Sequence, residues 1–177
     1  MNKIFLSIII TIFIFSNLKA NILSIHKRIV PVCLLQIEDI VNKTDKEINL
    51  VLVVNKKQIS KAIEFKELLP NKIKLFSLNT KILYDTDIKN YLNDNKNHID
   101  AFYYFDIEKS LYKLLNNYTK KNHIVTFGYD YENLKTGALI YIDIKNKIDI
   151  YLNKKLFINN KINFNNQFLQ IVEIYDK

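Results

Sequence analysis

The hydrophobic residues of this chain fall into short continuous runs that alternate with segments of helical spacing. Residues 50–54 are Leu and Val without a polar interruption, which is typical of a strand buried on both faces. Residues 56–69 then place apolar side chains three and four positions apart, and Pro70 ends the pattern. The alternation predicts strands at 47–54, 72–78, 99–105 and 123–127 and helices at 22–41, 56–69, 82–97 and 107–120. Because Pro31 lies inside the first helix, we expect that helix to be kinked or broken near Ile29 and Val30.

The pattern changes after a polar, aromatic loop at 129–136. The apolar segments 137–144 and 147–152 are separated only by Lys145 and Asn146, which is too short for a crossover helix and predicts an antiparallel hairpin. Residues 165–175 place apolar side chains on one helical face. The sequence therefore predicts a single-domain, three-layer, Rossmann-like α/β fold with a mostly parallel sheet, a C-terminal antiparallel hairpin and a closing helix.

Residues 1–20 have the features of a secretory signal peptide. Lys3 precedes a nearly continuous apolar segment at 4–15, and Ala20 is a suitable cleavage residue. The apolar segment is shorter than the ~20 residues that a membrane span needs, which favours cleavage over retention as an anchor. We expect residues 21–177 to form one exported domain in the periplasm.

The net charge of +8 is spread along the chain and does not form a cluster. Arg28 is the only arginine, and no glycine-rich or aromatic-interleaved motif for nucleic acid is present, so we expect no nucleic-acid partner. Contact with an anionic membrane surface stays open. Cys33 has no second cysteine for an internal disulfide, and its apolar neighbours favour a buried small side chain over an intermolecular disulfide.

Candidate chemistry is sparse. His26, His98 and His123 have no metal-ligand spacing, and no Gly-x-Ser-x-Gly motif is present. Two glycines are too few for a phosphate-cradling loop. Asp106 with Glu108 is explained by favourable charge at a helix N-terminus. We expect a non-enzymatic protein with no catalytic residues, metal or cofactor.

A binding cleft is expected at the carboxyl ends of the parallel strands, where ligands bind in open α/β sheets. Gly128 follows a strand, where a close backbone approach or a positive φ would require glycine. Tyr129 and Tyr131 would flank the cleft and stack on a flat ligand or anchor a partner, although they could also merely cap the edge. The candidate ligand or partner cleft comprises Asn55, Lys56, Asp106, Phe127, Gly128, Tyr129 and Asp130.

The C-terminal half combines several distinctive features: the segment 99–103, Ile124-Val125-Thr126, Gly137 before the hairpin, the turn Asn146-Lys147-Ile148, and the apolar pairs of 168–172. In these features the chain resembles the YfiR-like family of small exported α/β proteins. Thr136 replaces the first of the family's two adjacent glycines. The single Cys33 cannot supply the cysteine pairs that report redox state in better-known members.

The resemblance implies a periplasmic regulator that binds and restrains the sensor domain of an inner-membrane signalling protein, a diguanylate cyclase in cyclic-di-GMP signalling. The alternative is a periplasmic small-ligand binding module that serves a transporter or a sensor kinase. A homodimer and a bound small ligand are both left open.

Overall fold

The computed structural model describes residues 22–94, 98–145 and 147–176. The predicted signal peptide and the turn residue Asn146 lie outside these described residues. Within them, one sheet of eight strands has helices packed on both faces, which is the three-layer α/β fold that the sequence predicts. No helix in the described ranges is both long enough and apolar enough to cross a membrane.

The sheet is parallel at its centre and mixed towards its ends. The strands are β1 (Glu47–Val54), β2 (Lys72–Ile73), β3 (Phe76–Tyr84), β4 (Ala101–Tyr104), β5 (Val125–Gly128), β6 (Ile140–Asp143), β7 (Asp149–Asn153) and β8 (Glu173–Tyr175). Their order across the sheet is β2-β3-β1-β4-β5-β6-β7-β8. Only the pairs β2–β3 and β6–β7 are antiparallel. The predicted strand at 47–54 and the predicted C-terminal hairpin are therefore confirmed.

Helices connect most of these strands. They are α1 (Ile22–Leu34), α2 (Glu38–Val41), α3 (Ile59–Leu68), α4 (Ile88–Asn93), α5 (Lys109–Asn122), α6 (Tyr131–Thr136), α7 (Lys154–Asn160) and α8 (Asn166–Ile171), with 3₁₀ turns at Lys56–Gln58 and Asp85–Asp87. The predicted opening helix is interrupted at residues 35–37, where Ile37 forms a β-bridge with Phe164, and its last residues form α2. The predicted break near Ile29 and Val30 is wrong, because α1 continues through the buried Pro31 to Leu34.

Three further segments differ from the sequence prediction. The predicted strand at 72–78 is a short hairpin that leads into β3, and β3 also takes residues 82–84 from the predicted helix at 82–97 because it pairs with β1 along its whole length. The predicted loop after β5 contains α6, which Asp130 caps. The predicted closing helix ends at Ile171, since the last residues pair with β7 as β8. Helix α7 is not predicted.

The strand order reverses next to β1. The chain passes from β1 through α3 to β3 on one side, and then through α4 to β4 on the other side of β1. Because β-α-β crossovers are right-handed, these moves place α3 on one face and α4 and α5 on the opposite face. The gap between the carboxyl ends of β1 and β4 is therefore a topological switch point.

Two core clusters follow from this arrangement. The first face of the sheet carries Leu50 and Leu52 of β1 and packs against α1 and α3, whose Phe65 is fully buried. The second face carries Val51 and Val53 and packs against α4 and α5. Both faces of β1 are thus buried, as its uninterrupted apolar sequence predicts.

Candidate functional site at the carboxyl edge of the sheet

Asn55 and Asp106 join the ends of β1 and β4 at the switch point. The backbone N–H of Asn55 donates to the carbonyl of Asp106 at 3.2 Å, and Nδ2 of Asn55 donates to Oδ2 of Asp106 at 3.1 Å. The side-chain oxygen of Asn55 accepts a hydrogen bond from the backbone N–H of Gln58 at 3.1 Å, which caps the 3₁₀ turn. The fold therefore brings together two of the predicted cleft residues, 51 positions apart in sequence.

Tyr129 provides an aromatic surface beside this pair. Its backbone N–H donates to the carbonyl of Tyr104 at 2.8 Å, which holds it to the end of β4. Its ring stacks on Phe105 with centroids 5.4 Å apart and an interplanar angle of 29°. Nζ of Lys61, in the first turn of α3, lies 4.9 Å from the centroid of the Tyr129 ring, within the range of a cation–π interaction. A half-buried ring with an ammonium group beside it is thus present at the edge.

Gln58 carries an unsatisfied acceptor in the same region. Its Oε1 atom is buried and has no hydrogen-bond partner among the residues that the structure describes. A buried acceptor without a donor costs about 1–3 kcal/mol, so a donor on a bound molecule would remove a penalty. Lys56, two residues earlier, is exposed. The first turns after β1 therefore contain an acceptor without a partner among the described residues and an exposed cation.

The remaining predicted cleft residues hold the end of β5 in place. Phe127 is 1% exposed and lies in the core rather than at the surface of the edge. Gly128 has no positive φ, but a Cβ there would lie 2.6 Å from Cβ of Asn133 and 3.0 Å from Cβ of Ala138. The expected close approach is therefore the reason for this glycine. Asp130 and Asn133 form a reciprocal capping box that starts α6.

A buried histidine contacts the inner side of Tyr129, with ring centroids 6.2 Å apart. Nδ1 of His26 lies 2.5 Å from the hydroxyl oxygen of Tyr103, and Nε2 lies 3.2 Å from the carbonyl oxygen of Ile142. Because a carbonyl only accepts, Nε2 carries the hydrogen and the Tyr103 hydroxyl donates to Nδ1. Burial lowers the pKa of His26 to about 4, against the opposing effect of the Ile142 carbonyl. Neutral His26 therefore ties α1 to β4 and β6.

The other candidate groups have local roles. His98 is exposed, and His123 donates from Nδ1 to the carbonyl of Asn160 at 2.8 Å. Cys33 is buried, as predicted, and burial raises the pKa of its thiol to about 12. Within the described ranges, no group of three or more His, Cys, Asp or Glu side chains is arranged to hold a metal ion.

Sequence reasoning missed three residues at this edge: Gln58, Lys61 and Phe105. The first two lie in the first turns of the helical segment after β1, so their position next to the switch point could have been inferred from the predicted topology. Phe105 ends an apolar strand run and gives no separate signal. Tyr131, predicted beside Tyr129, instead contacts Tyr141 and Tyr175 on the second face of the sheet.

The fold is similar to that of several solved structures. An ABC domain in complex with L-Trp from Streptococcus pneumonia is 11% identical, with a TM-score of 0.53, over 80% of this chain and 61% of that one. A conserved domain protein from Vibrio cholerae O1 biovar eltor is 11% identical, with a TM-score of 0.56, over 87% and 60%. A ligand-free, open substrate-binding protein with adhesive properties from Clostridium difficile is 11% identical, with a TM-score of 0.54, over 73% and 55%.

These likenesses concern the fold alone, because the sequence identities are low. The chain matches between 55% and 61% of the length of these three structures. No protein-family model matches the sequence, and a search of curated proteins finds no match.

Proposed function

We propose that this protein is a non-enzymatic small-ligand binding module with its ligand at the ends of β1, β4 and β5. The reversal of strand order between β1 and β4 carries this proposal, because open α/β sheets bind ligands at such switch points. The likeness in fold to a substrate-binding protein and to a domain in complex with L-Trp supports it. Such a module would serve a transporter or a sensor kinase.

The chemistry of the edge favours a small zwitterion with a flat apolar side chain, such as an aromatic amino acid. The stacked rings of Tyr129 and Phe105 offer a surface for an aromatic group. The Lys61 ammonium group would attract a carboxylate. The Asp106 carboxylate and the unpartnered Oε1 of Gln58 would accept hydrogen bonds from an ammonium group.

Calorimetric titration with L-Trp, L-Tyr and L-Phe tests the proposal. We expect at least one of these amino acids to bind saturably. Mass spectrometry of the amino acid released from the protein should show that it is chemically unchanged. Tyr129→Ala should weaken binding about tenfold or more, which corresponds to about 1.4 kcal/mol. The matched control Tyr131→Ala, whose ring packs with Tyr141 on the second face, should change the affinity less than about twofold. Absence of saturable binding, or equal losses in both variants, would contradict the proposal.

Regulation of a membrane-bound diguanylate cyclase is a second candidate function, implied by the YfiR-like resemblance. Four tyrosines with ring contacts to one another on the second face support it, since tyrosine is enriched among the residues that dominate protein interfaces. This tyrosine surface consists of Tyr131, Tyr141, Tyr151 and Tyr175. Binding there would favour the inactive state of the partner's periplasmic sensor domain. Self-association through the same surface is the competing outcome.

The regulatory role predicts a reversed pattern of mutational effects. Deletion of the gene should raise cyclic-di-GMP, and Tyr131→Ala should have the same effect while Tyr129→Ala should not. An unchanged level in the deletion strain, with no membrane partner in a pull-down, would contradict it. Both roles require export, and N-terminal sequencing of the periplasmic protein should find a chain that begins at Asn21.

A further inference from the structure

A cavity lies at the amino edge of the sheet, at the end opposite to the proposed ligand site. Its volume is about 320 Å³, which is at the small end of the range for ligand pockets. The end of α5, which precedes β5, forms one wall, and the end of α7 forms another. The lining residues are Asn117, Lys120, Lys121, His123, Asn159 and Lys161.

The lining of this cavity is cationic and contains no carboxylate. Other lysines of the protein pair with acids, as Lys43 does with Asp100 at 2.9 Å. None of the three lining lysines forms an ion pair with a carboxylate in the described residues. Cations are favourable at helix C-termini, which accounts for Lys120 and Lys121 at the end of α5. That effect does not account for a concave site without a counter-charge.

Asn160 adds an independent observation at the same place. It lies between two lining residues, is 1% exposed, and neither its Nδ2 nor its Oδ1 has a hydrogen-bond partner among the described residues. Its backbone carbonyl accepts the hydrogen bond from Nδ1 of His123. A buried amide without partners is costly, and this one lies directly behind the lining residues Asn159 and Lys161 without being part of the lining.

We propose that this cavity binds a phosphate group, either as the free ion or as part of a small phosphate ester or lipid headgroup. Phosphate oxygens would accept hydrogen bonds from the lysine ammonium groups and from the amides of Asn117 and Asn159. Phosphate therefore matches the charge and the hydrogen-bond donors of the lining, and this proposal does not depend on the ligand at the carboxyl edge.

Titration with inorganic phosphate at constant ionic strength, followed by ¹H–¹⁵N NMR, tests the site. We expect saturable shifts confined to the amides of residues 117–123 and 159–161. The double variant Lys121→Gln, Lys161→Gln should weaken binding about tenfold or more. Lys113→Gln is the matched control, because this exposed lysine lies on α5 outside the cavity, and it should change the affinity less than about twofold.

Non-saturating shifts spread over lysines throughout the chain, or equal weakening in the control variant, would overturn the proposal. Vesicles of phosphatidylglycerol and of phosphatidylcholine distinguish the sources of the phosphate group. Binding to phosphatidylglycerol that excess phosphate displaces would identify the headgroup as a source for the same site. Binding that phosphate fails to displace, with no saturable phosphate shifts, would show that the lysines form only a charged surface and would refute the pocket.

Discussion

The two faces of the sheet differ in how far helices cover them. On the first face, one core cluster extends from Leu78 of β3 to Leu152 of β7. On the second face, the buried cluster includes β1 and β4 but no residue of β6, β7 or β8. There, from the start of α6 to β8, that face carries the tyrosine surface, with Tyr131 37% exposed. Asp143 and Asp149 pair with each other on this face, next to the paired residues Tyr141 and Tyr151.

The difference follows from how the strands are connected. A parallel connection must pass back along the sheet, and its helix buries the face that it crosses. The β6–β7 hairpin has no such helix, so its second face receives no cover from the connection. Partly exposed aromatic residues therefore accumulate where the chain changes from parallel to antiparallel. Burial beside Asp143 and Asp130 raises the pKa of Tyr141 to about 12.

The largest expected contrast is in stability between the covered and open regions. Leu52→Ala removes a fully buried side chain from the first face and should lower the free energy of unfolding by about 2–5 kcal/mol. Tyr151→Ala removes a cross-strand partner of Tyr141 from the tyrosine surface and should cost about 1 kcal/mol or less. Urea unfolding measures both. Similar losses would mean that the tyrosine surface is part of the core.

Lowering the pH should reduce the free energy of unfolding, because His26 is buried in its neutral form on the first face. The pKa of this side chain is about 4 in the folded protein and 6.5 as a free group, so the unfolded state binds the additional proton between these values. Stability from neutral His26 is complete above pH 6.5, falls as the pH drops towards 4, and amounts to about 3 kcal/mol at most. His26→Gln should remove this part of the pH dependence, measured by urea unfolding from pH 7 to 4. The exposed control His98→Gln should retain it.

The smallest expected difference in stability is between variants of two adjacent tyrosines, whose side chains lie on opposite faces of the sheet. The Tyr103 hydroxyl donates to His26, whereas the buried Tyr104 hydroxyl has no partner among the described residues. Tyr103→Phe should destabilise the protein by about 1–3 kcal/mol, because it leaves Nδ1 of His26 without a donor. Tyr104→Phe should be neutral or stabilising by about 1 kcal/mol. Thermal unfolding of both variants decides this, and equal destabilisation would show that the Tyr104 hydroxyl is satisfied in solution.

Strong local patterns predicted much of the fold. The unbroken apolar run of β1 predicted a buried strand, and the short spacing between two apolar segments predicted the hairpin. The predicted two-residue turn is wrong, because residues 144–148 separate β6 from β7. The segments predicted wrongly are those whose structure depends on pairing with distant strands. Residues 82–84 are extended because β3 pairs with β1, and residues 173–175 form β8 because they pair with β7. The positions of Asn55, Asp106 and Tyr129 followed from strand ends, but their mutual contacts did not.

The sequence by itself determined the alternation of strands and helices, the buried cysteine and the carboxyl ends at which a ligand would be sought. These depend on periodicity and on residue size, which are local properties. Only the tertiary structure decided that Lys61 and Phe105 meet Tyr129, that His26 is neutral, and that Asn160 lies unsatisfied beside a cationic cavity. These depend on groups many residues apart that only the folded chain brings within a few ångströms, where burial and hydrogen bonding act.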